Sequence, residues 1–219
     1  RTIKLVTSGA GAAALACLDL LVALGLPARH VWLADIDGVV YSGRESGMDA
    51  FKQLFAQSTS KRKLAEIIPD ADVFLGLSAG GVLTPPMVAT MGPKPLILAL
   101  ANPTPEIRPE AIASVRSDAL VATGRSDYPN QVNNVLCFPY IFRGALDAGA
   151  TAITREMELA ATCALAELGY TAQDAGPSNT EFASTRVPSL LPTPFDERLL
   201  PVVAGAVAEA AMKSGVATK

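Results

Sequence analysis

A glycine-rich turn near the start of the chain constrains the fold more than any other feature. The sequence TSGAGA at residues 7–12 follows a short apolar run, 3–6, that predicts a β-strand. It precedes an Ala- and Leu-rich run, 12–24, that predicts a helix. Such a turn places main-chain N–H groups at the positive end of a helix dipole, an arrangement suited to a phosphate or diphosphate. The spacing Gly9-x-Gly11-x-x-Ala14 is the Gly/Ala form of the dinucleotide-binding fingerprint.

Each residue of this fingerprint has a physical role. Gly9 permits the tight turn, Gly11 lets a diphosphate approach the backbone, and Ala14 keeps the helix close to the strand. A second apolar run, 31–34, predicts a strand that ends at Asp35, where the fingerprint expects a carboxylate for a ribose. The alternative is a glycine-rich turn in an α/β domain that binds no nucleotide. The agreement between the turn, the second strand and Asp35 favours the nucleotide.

Further apolar runs continue the alternation of strands and helices. Residues 71–77, 95–100 and 119–122 predict strands, with helical patterns between and after them. This order predicts an α/β fold, a Rossmann-type doubly wound and mostly parallel sheet with helices on both faces. We expect residues 1–170 to form the NAD(P)-binding domain. We expect residues 171–219 to add a wrap-around loop and a C-terminal helix that packs on the same domain.

Composition and charge exclude several classes of protein. The net charge is −3 and no basic tract is longer than KRK at 61–63, which argues against a nucleic-acid partner. No apolar run has membrane-spanning length, no signal peptide precedes the first strand, and we expect a cytoplasmic protein. The three cysteines lack CxxC spacing, which favours buried thiols in a reducing compartment. The chain begins abruptly at Arg1, which we interpret as the start of an excised fragment.

The residues after the second strand bear on the choice between NAD and NADP. Asp35 would accept hydrogen bonds from both hydroxyls of the adenine ribose, which favours NAD. A 2′-phosphate beside Asp35 and Asp37 would be repelled unless a cation intervened. Four nearby cations can supply that charge: Arg44, Lys61, Arg62 and Lys63.

Two polar loops follow later strands, where ligands of doubly wound sheets gather. Asn102 can contact a nicotinamide, a ribose hydroxyl or a small polar substrate; alternatively, it orders an Asx-type turn before Pro103. The second loop, 123–134, is the most polar segment of an apolar half of the chain. In that loop Arg125 either binds a substrate carboxylate or pairs with Asp127.

Several motifs together resemble the nicotinamide-cofactor domain of malic enzymes. The resemblance is closest to the bacterial type that often carries a phosphotransacetylase-like domain. It covers most of residues 3–168, and we find no match at 171–193. The motifs are TSGAGA (7–12), DIDGVVYSGR (35–44), LANPTPEI (100–107) and ATGRSDYPNQVNN (122–134) followed by Phe138-Pro139.

The resemblance implies oxidative decarboxylation of malate to pyruvate and CO2 with NAD or NADP, assisted by Mg2+ or Mn2+. It implies that the diphosphate is held at Gly9, Ala10, Gly11 and Ala12. It further implies that Asp35 contacts the adenine ribose, and that the nicotinamide and malate meet at Asn102 and Asn134.

The family's catalytic Lys and Tyr and its acidic metal ligands lie upstream of the glycine turn, in a region that this chain lacks. We therefore assign no catalytic and no metal-binding residue within it; Lys4 and Tyr128 stand in unrelated motifs. The chain is expected to be the cofactor-binding part of an enzyme, inactive alone. Its implied partners are a missing N-terminal catalytic domain and a second copy in a homo-oligomer, by family tendency a dimer. The alternative is a non-catalytic nucleotide-sensing domain.

Overall fold

The computed structural model describes residues 2–172 and 189–219. Within these ranges six strands form one sheet in the order β3-β2-β1-β4-β5-β6. Neighbouring strands are parallel except for β2 and β3. This confirms the predicted doubly wound, mostly parallel sheet. The strands are β1 (Leu5–Ser8), β2 (Val31–Asp35), β3 (Gly38–Val39), β4 (Val73–Gly76), β5 (Leu96–Ala99) and β6 (Leu120–Thr123).

The first strand lies in the middle of the sheet, between β2 and β4. Leu5 pairs with Val31 on one side and with Val73 on the other. The chain first moves outward from β1 to β3 and then crosses over to β4, so the strand order reverses beside β1. In open α/β sheets, ligands bind at such a switch point, beyond the carboxyl ends of the strands.

The two-residue strand β3 was not predicted from the sequence. It pairs antiparallel with the end of β2, with Asp35 opposite Gly38. Gly38 has φ +103°, and its Cβ position would lie 2.2 Å from the Arg62 carbonyl oxygen, so the turn requires glycine. Two residues are too few to show a periodicity, which is why this hairpin escaped the sequence pattern.

Eight α-helices lie within the described residues. Two one-turn 3-10 helices, Ala28–His30 and Asn134–Leu136, and a π-helical turn, Leu200–Ala204, accompany them. The α-helices are α1 (Ala12–Ala23), α2 (Ala50–Gln53), α3 (Leu64–Ile67), α4 (Pro85–Ala89), α5 (Pro109–Ala113), α6 (Phe138–Asp147), α7 (Arg155–Ala172) and α8 (Gly205–Lys213).

Both faces of the sheet are covered. Val6 and Phe74 belong to one apolar cluster, whereas their neighbours along the chain, Leu5 and Leu75, belong to another. Since successive residues of a strand point to opposite faces, the two clusters lie on opposite sides of the sheet. Strands buried on both faces need continuous apolar sequence, which explains why simple apolar runs predicted them.

The contacts divide the chain into two compact units, 1–128 and 129–219. The first contains the sheet. The second contains α6, α7 and α8 around a core that includes Met157, Val203 and Val207. The predicted domain boundary at 170 stays a prediction, and most of the predicted wrap-around loop, 173–188, lies outside the described residues.

The surface of the described residues bears on two expectations. Cys17 and Cys163 are exposed, so the expected burial of the thiols is wrong for these two, while Cys137 is half-buried. Cys17 lies off the stripe by which Ala14 and Leu18 bury helix α1 against the sheet. Across 2–172 and 189–219, no helix is long and apolar enough to cross a membrane.

Candidate dinucleotide-binding site

The glycine turn at the end of β1 is held between the ends of two other strands. The Gly9 N–H donates to the Ala34 carbonyl oxygen at 2.8 Å, and the Leu77 N–H donates to the Ser8 carbonyl oxygen at 2.8 Å. Gly9 has φ +105°, and a Cβ there would lie 2.3 Å from the Leu77 carbonyl oxygen. Gly9 therefore makes the turn possible, and its own N–H is already bonded to protein.

Gly11 differs from Gly9 in what surrounds it. It is the N-cap of α1 with φ −82°, and a Cβ built there meets no atom within 4 Å. No side chain of the described residues caps this helix. Because the first N–H groups of a helix have no acceptor within it, those at the start of α1 are open to an anion. Ala12, the first helical residue, is exposed, whereas Ala10 is buried beneath the turn.

Asp35, at the end of β2, is bound by two cations. Its Oδ1 accepts from Arg44 Nη2 at 2.8 Å and from the Asp37 N–H at 3.0 Å. Its Oδ2 accepts from the same Arg44 nitrogen at 2.9 Å and from Lys52 Nζ at 3.0 Å. Arg44 also lies 3.3 Å from Asp37 Oδ2. A carboxylate offers about four acceptor positions, so protein donors fill those of Asp35 in this structure.

The electrostatics of this cluster follow from those contacts. Burial by itself raises the pKa of Asp35, but the hydrogen bonds from Arg44 and Lys52 outweigh it and hold the pKa below its usual value. Two carboxylates, Asp35 and Asp37, face two cations. The negative charge that was expected to repel a 2′-phosphate is thus compensated.

Of the cations considered from the sequence, Arg44 is the one that contacts Asp35. Lys61 lies over the Trp32 ring at 5.4 Å, and Arg62 lies over the Tyr41 ring at 3.5 Å. The sequence analysis did not identify Lys52, because no motif or spacing in the sequence connects α2 with the end of β2.

Two amides expected near the substrate are exposed. Asn102 lies in the loop after β5, and its side chain bonds to no described residue, so the alternative of an Asx turn is not observed. Asn134, in the second unit, begins a 3-10 helix and is also exposed, whereas the Asn133 side chain accepts from the Val135 N–H. The contacts of Asn102 and Asn134 with nicotinamide and malate stay predictions.

Polar side chains of the loop after β6 bind to protein groups. Arg125 forms two hydrogen bonds with Asp127, at 2.8 and 2.6 Å, so the pairing alternative is the one observed. This pair raises the pKa of Arg125 and lowers that of Asp127. Tyr128 donates to Glu110 Oε1 at 2.8 Å, which raises the pKa of the phenol.

Glu106 is a residue that the sequence reasoning missed. It is 0% exposed and accepts hydrogen bonds from the N–H groups of Ser78 and Ala101. The available signal was a lone acidic residue between Pro105 and Ile107, which by itself does not distinguish a buried carboxylate from a surface one.

Together, the strand order, the glycine turn at the switch point and the open N-terminus of α1 define a Rossmann-type dinucleotide-binding domain. Comparison with known proteins gives the particular family. A sequence profile of the malic enzyme NAD-binding domain matches residues 1–177. The chain therefore belongs to the malic enzyme family, as its NAD-binding domain.

Individual relatives agree with this assignment. An NAD-dependent malic enzyme of Rhizobium meliloti (strain 1021) is 56% identical over 99% of this chain and 28% of its own length. An NADP-dependent malic enzyme of Haemophilus influenzae is 53% identical over 99% of this chain and 29% of its own length. The crystal structure of Entamoeba histolytica malic enzyme, at 34% identity, superposes with a TM-score of 0.84, covering 98% of this chain and 44% of that one.

These comparisons do not favour the alternative of a nucleotide sensor, because the relatives carry the names of enzymes. The chain spans less than a third of the length of those two relatives. Within the described residues, no three His, Cys, Asp or Glu side chains group as metal ligands, and we assign none of them to a metal.

Proposed function

We propose that the protein containing this chain oxidises and decarboxylates malate to pyruvate and CO2 with NAD or NADP, and that this chain binds the cofactor. The observation that carries the proposal is the uncapped N-terminus of α1 beside Gly11, at the switch point of the sheet. It occurs in a chain that belongs to the malic enzyme family. The bound dinucleotide would accept a hydride from malate.

Different residues of this chain bind different parts of the cofactor. The turn from Ala10 to Ala12 offers main-chain N–H groups to the diphosphate, with Gly9 shaping the turn. Ile36 follows Asp35 with a fully exposed side chain, an apolar surface that an adenine ring would cover. The amides of Asn102 and Asn134 donate and accept without titrating, which suits them to orient the nicotinamide and malate.

Other parts of the reaction are assigned outside this chain. We place the general acid, the general base and the ligands of Mg2+ or Mn2+ in a preceding catalytic domain, and we expect this chain to be inactive alone. The small share of the relatives' length that it spans supports this. We further propose a homodimer and a cytoplasmic location; free cysteines within the described residues support the latter.

The test uses the full-length protein. We expect malate-dependent reduction of NAD or NADP, with one pyruvate formed per reduced cofactor and a requirement for a divalent cation. Titration with NADH or NADPH is expected to saturate. A folded protein that binds neither NADH nor NADPH, or that reduces neither NAD nor NADP with malate, would contradict the proposal.

The position of Lys52 leads to a prediction about cofactor preference. Lys52→Gln removes one of the two charges that compensate Asp35, so a 2′-phosphate near this site meets more repulsion. We expect the Kd for NADPH to rise about fivefold while that for NADH changes little, since one charge pair near the surface contributes about 1 kcal/mol.

The matched control is Lys213→Gln, which removes a positive charge that pairs with Glu209 in α8 rather than with Asp35. It should leave the ratio of the two dissociation constants unchanged. If Lys52→Gln shifts both dissociation constants equally, Lys52 does not act on the 2′-phosphate.

A further inference from the structure

A buried carboxylate joins two loops at the ligand-binding edge of the sheet. Glu106 Oε1 accepts from the Ser78 N–H at 2.9 Å, and Glu106 Oε2 accepts from the Ala101 N–H at 3.0 Å. Ser78 lies just beyond β4, and Ala101 lies just beyond β5 and directly before Asn102. One side chain thereby fixes the backbone at the ends of two neighbouring strands.

The surroundings of Glu106 are shaped to hold it. Gly76 ends β4, and a Cβ there would lie 2.4 Å from Glu106 Cδ, so the absence of a side chain makes room for the carboxyl group. The Ser78 hydroxyl lies 2.8 Å from that of Ser8, the last residue of β1, and donates to Glu106 Oε1 at 3.4 Å. The hydrogen bonds therefore run from the end of β1 through β4 to β5.

A carboxylate is specifically suited to this place. In its ionised form it only accepts hydrogen bonds, so each oxygen can meet one N–H. A glutamine of the same shape would turn its own NH2 toward one of those donors and leave that main-chain group unbonded, which is costly in a buried site. Among the described residues Glu106 forms no salt bridge, so its interactions are with the backbone it holds.

We propose that Glu106 is a positioning residue that sets the loop of Asn102, and hence the nicotinamide end of the site, relative to the glycine turn. It acts through Ala101 and Ser78 and touches neither the helix N-terminus at Gly11 nor the Asp35 cluster. The adenosine end of the cofactor is therefore independent of it. This inference rests on the proposed function.

The test is Glu106→Gln in the full-length protein. We expect kcat for malate oxidation to fall between about tenfold and hundredfold, because small displacements of positioning groups have effects of this size. The Kd for ADP, which reports the adenosine and diphosphate parts of the site, should stay within about twofold of the unsubstituted value. The fluorescence of bound NADH, which reports the surroundings of the nicotinamide, should fall.

The matched control is Glu110→Gln, the same chemical change four positions further along the chain on an exposed side chain. It removes the charge of the carboxylate that accepts from Tyr128 and acts on Arg125, and kcat and NADH fluorescence should stay unchanged. Ser78→Ala tests the same network if Glu106→Gln does not fold. It keeps the main-chain N–H, and we expect kcat to fall about threefold with the Kd for ADP unchanged.

The outcomes separate the hypotheses. A fall in kcat and NADH fluorescence with unchanged ADP binding supports the positioning role. A lower melting temperature with unchanged kcat, or an equal loss of ADP and NADH affinity, overturns it and leaves Glu106 a packing residue. If the unsubstituted protein neither binds NADH nor oxidises malate, the proposed function itself fails, and this is visible before any variant is compared.

Discussion

Replacing Gly11 by valine is expected to weaken dinucleotide binding about hundredfold while the protein stays folded. The backbone at Gly11 has an ordinary φ of −82°, and no atom lies within 4 Å of the position that a Cβ would take. The Cβ of a valine is therefore accommodated without a clash. We expect its methyl groups to occupy the space in front of the open helix N-terminus, where a diphosphate has to approach the main chain.

Titration calorimetry of the full-length protein with NADH and with ADP measures this effect, and thermal unfolding checks the fold. Gly205→Val is the matched control, because Gly205 has φ −61° and equally open space around its Cβ position. It should leave both affinities unchanged. If Gly11→Val binds NADH as tightly as the unsubstituted protein, the diphosphate does not sit at this turn.

Gly9→Ala is expected to destabilise the protein by about 3 kcal/mol, a loss in folding rather than in binding alone. Gly9 has φ +105°, which side chains rarely adopt, and the new methyl group would lie 2.3 Å from the Leu77 carbonyl oxygen. The backbone cannot retreat freely, because Gly9 donates to Ala34 and Leu77 donates to Ser8. The added methyl group therefore strains the hydrogen bonds that connect the ends of β1, β2 and β4.

Urea unfolding of the full-length protein measures this loss, with Trp32 in β2, the single tryptophan of this chain, as a fluorescent reporter of this domain. Gly11→Ala is the control, since it adds the same methyl group two residues away in open space. We expect its free energy of unfolding to stay within about 0.5 kcal/mol of the unsubstituted protein. An equally small change for Gly9→Ala would mean that the turn is not held as tightly as its contacts indicate.

Local sequence was sufficient for much of the fold. The apolar runs that became β1, β2, β4, β5 and β6 are buried or half-buried throughout, so composition alone revealed them. The glycine turn and the position of Asp35 at the end of β2 follow from short-range spacing. The motifs at 35–44, 100–107 and 122–134 indicated the family, which the comparisons confirmed.

What the side chains do at the site depended on the tertiary structure. Asp35 was predicted as a ribose ligand, which stays a prediction, and spacing did not show that it binds Lys52 from α2. Nor did it show that Glu106 binds Ser78 from beyond β4. Gly9 requires glycine because of Leu77, far along the chain. Periodicity and spacing encode which face of an element is buried, but such contacts arise only when crossover connections bring distant strand ends to one edge of the sheet. The sequence by itself thus determined the class of fold and the place of the site. The tertiary structure decided which cations compensate Asp35, which carboxylate holds the two loops, and which glycine the turn requires, because these contacts join residues far apart in the chain.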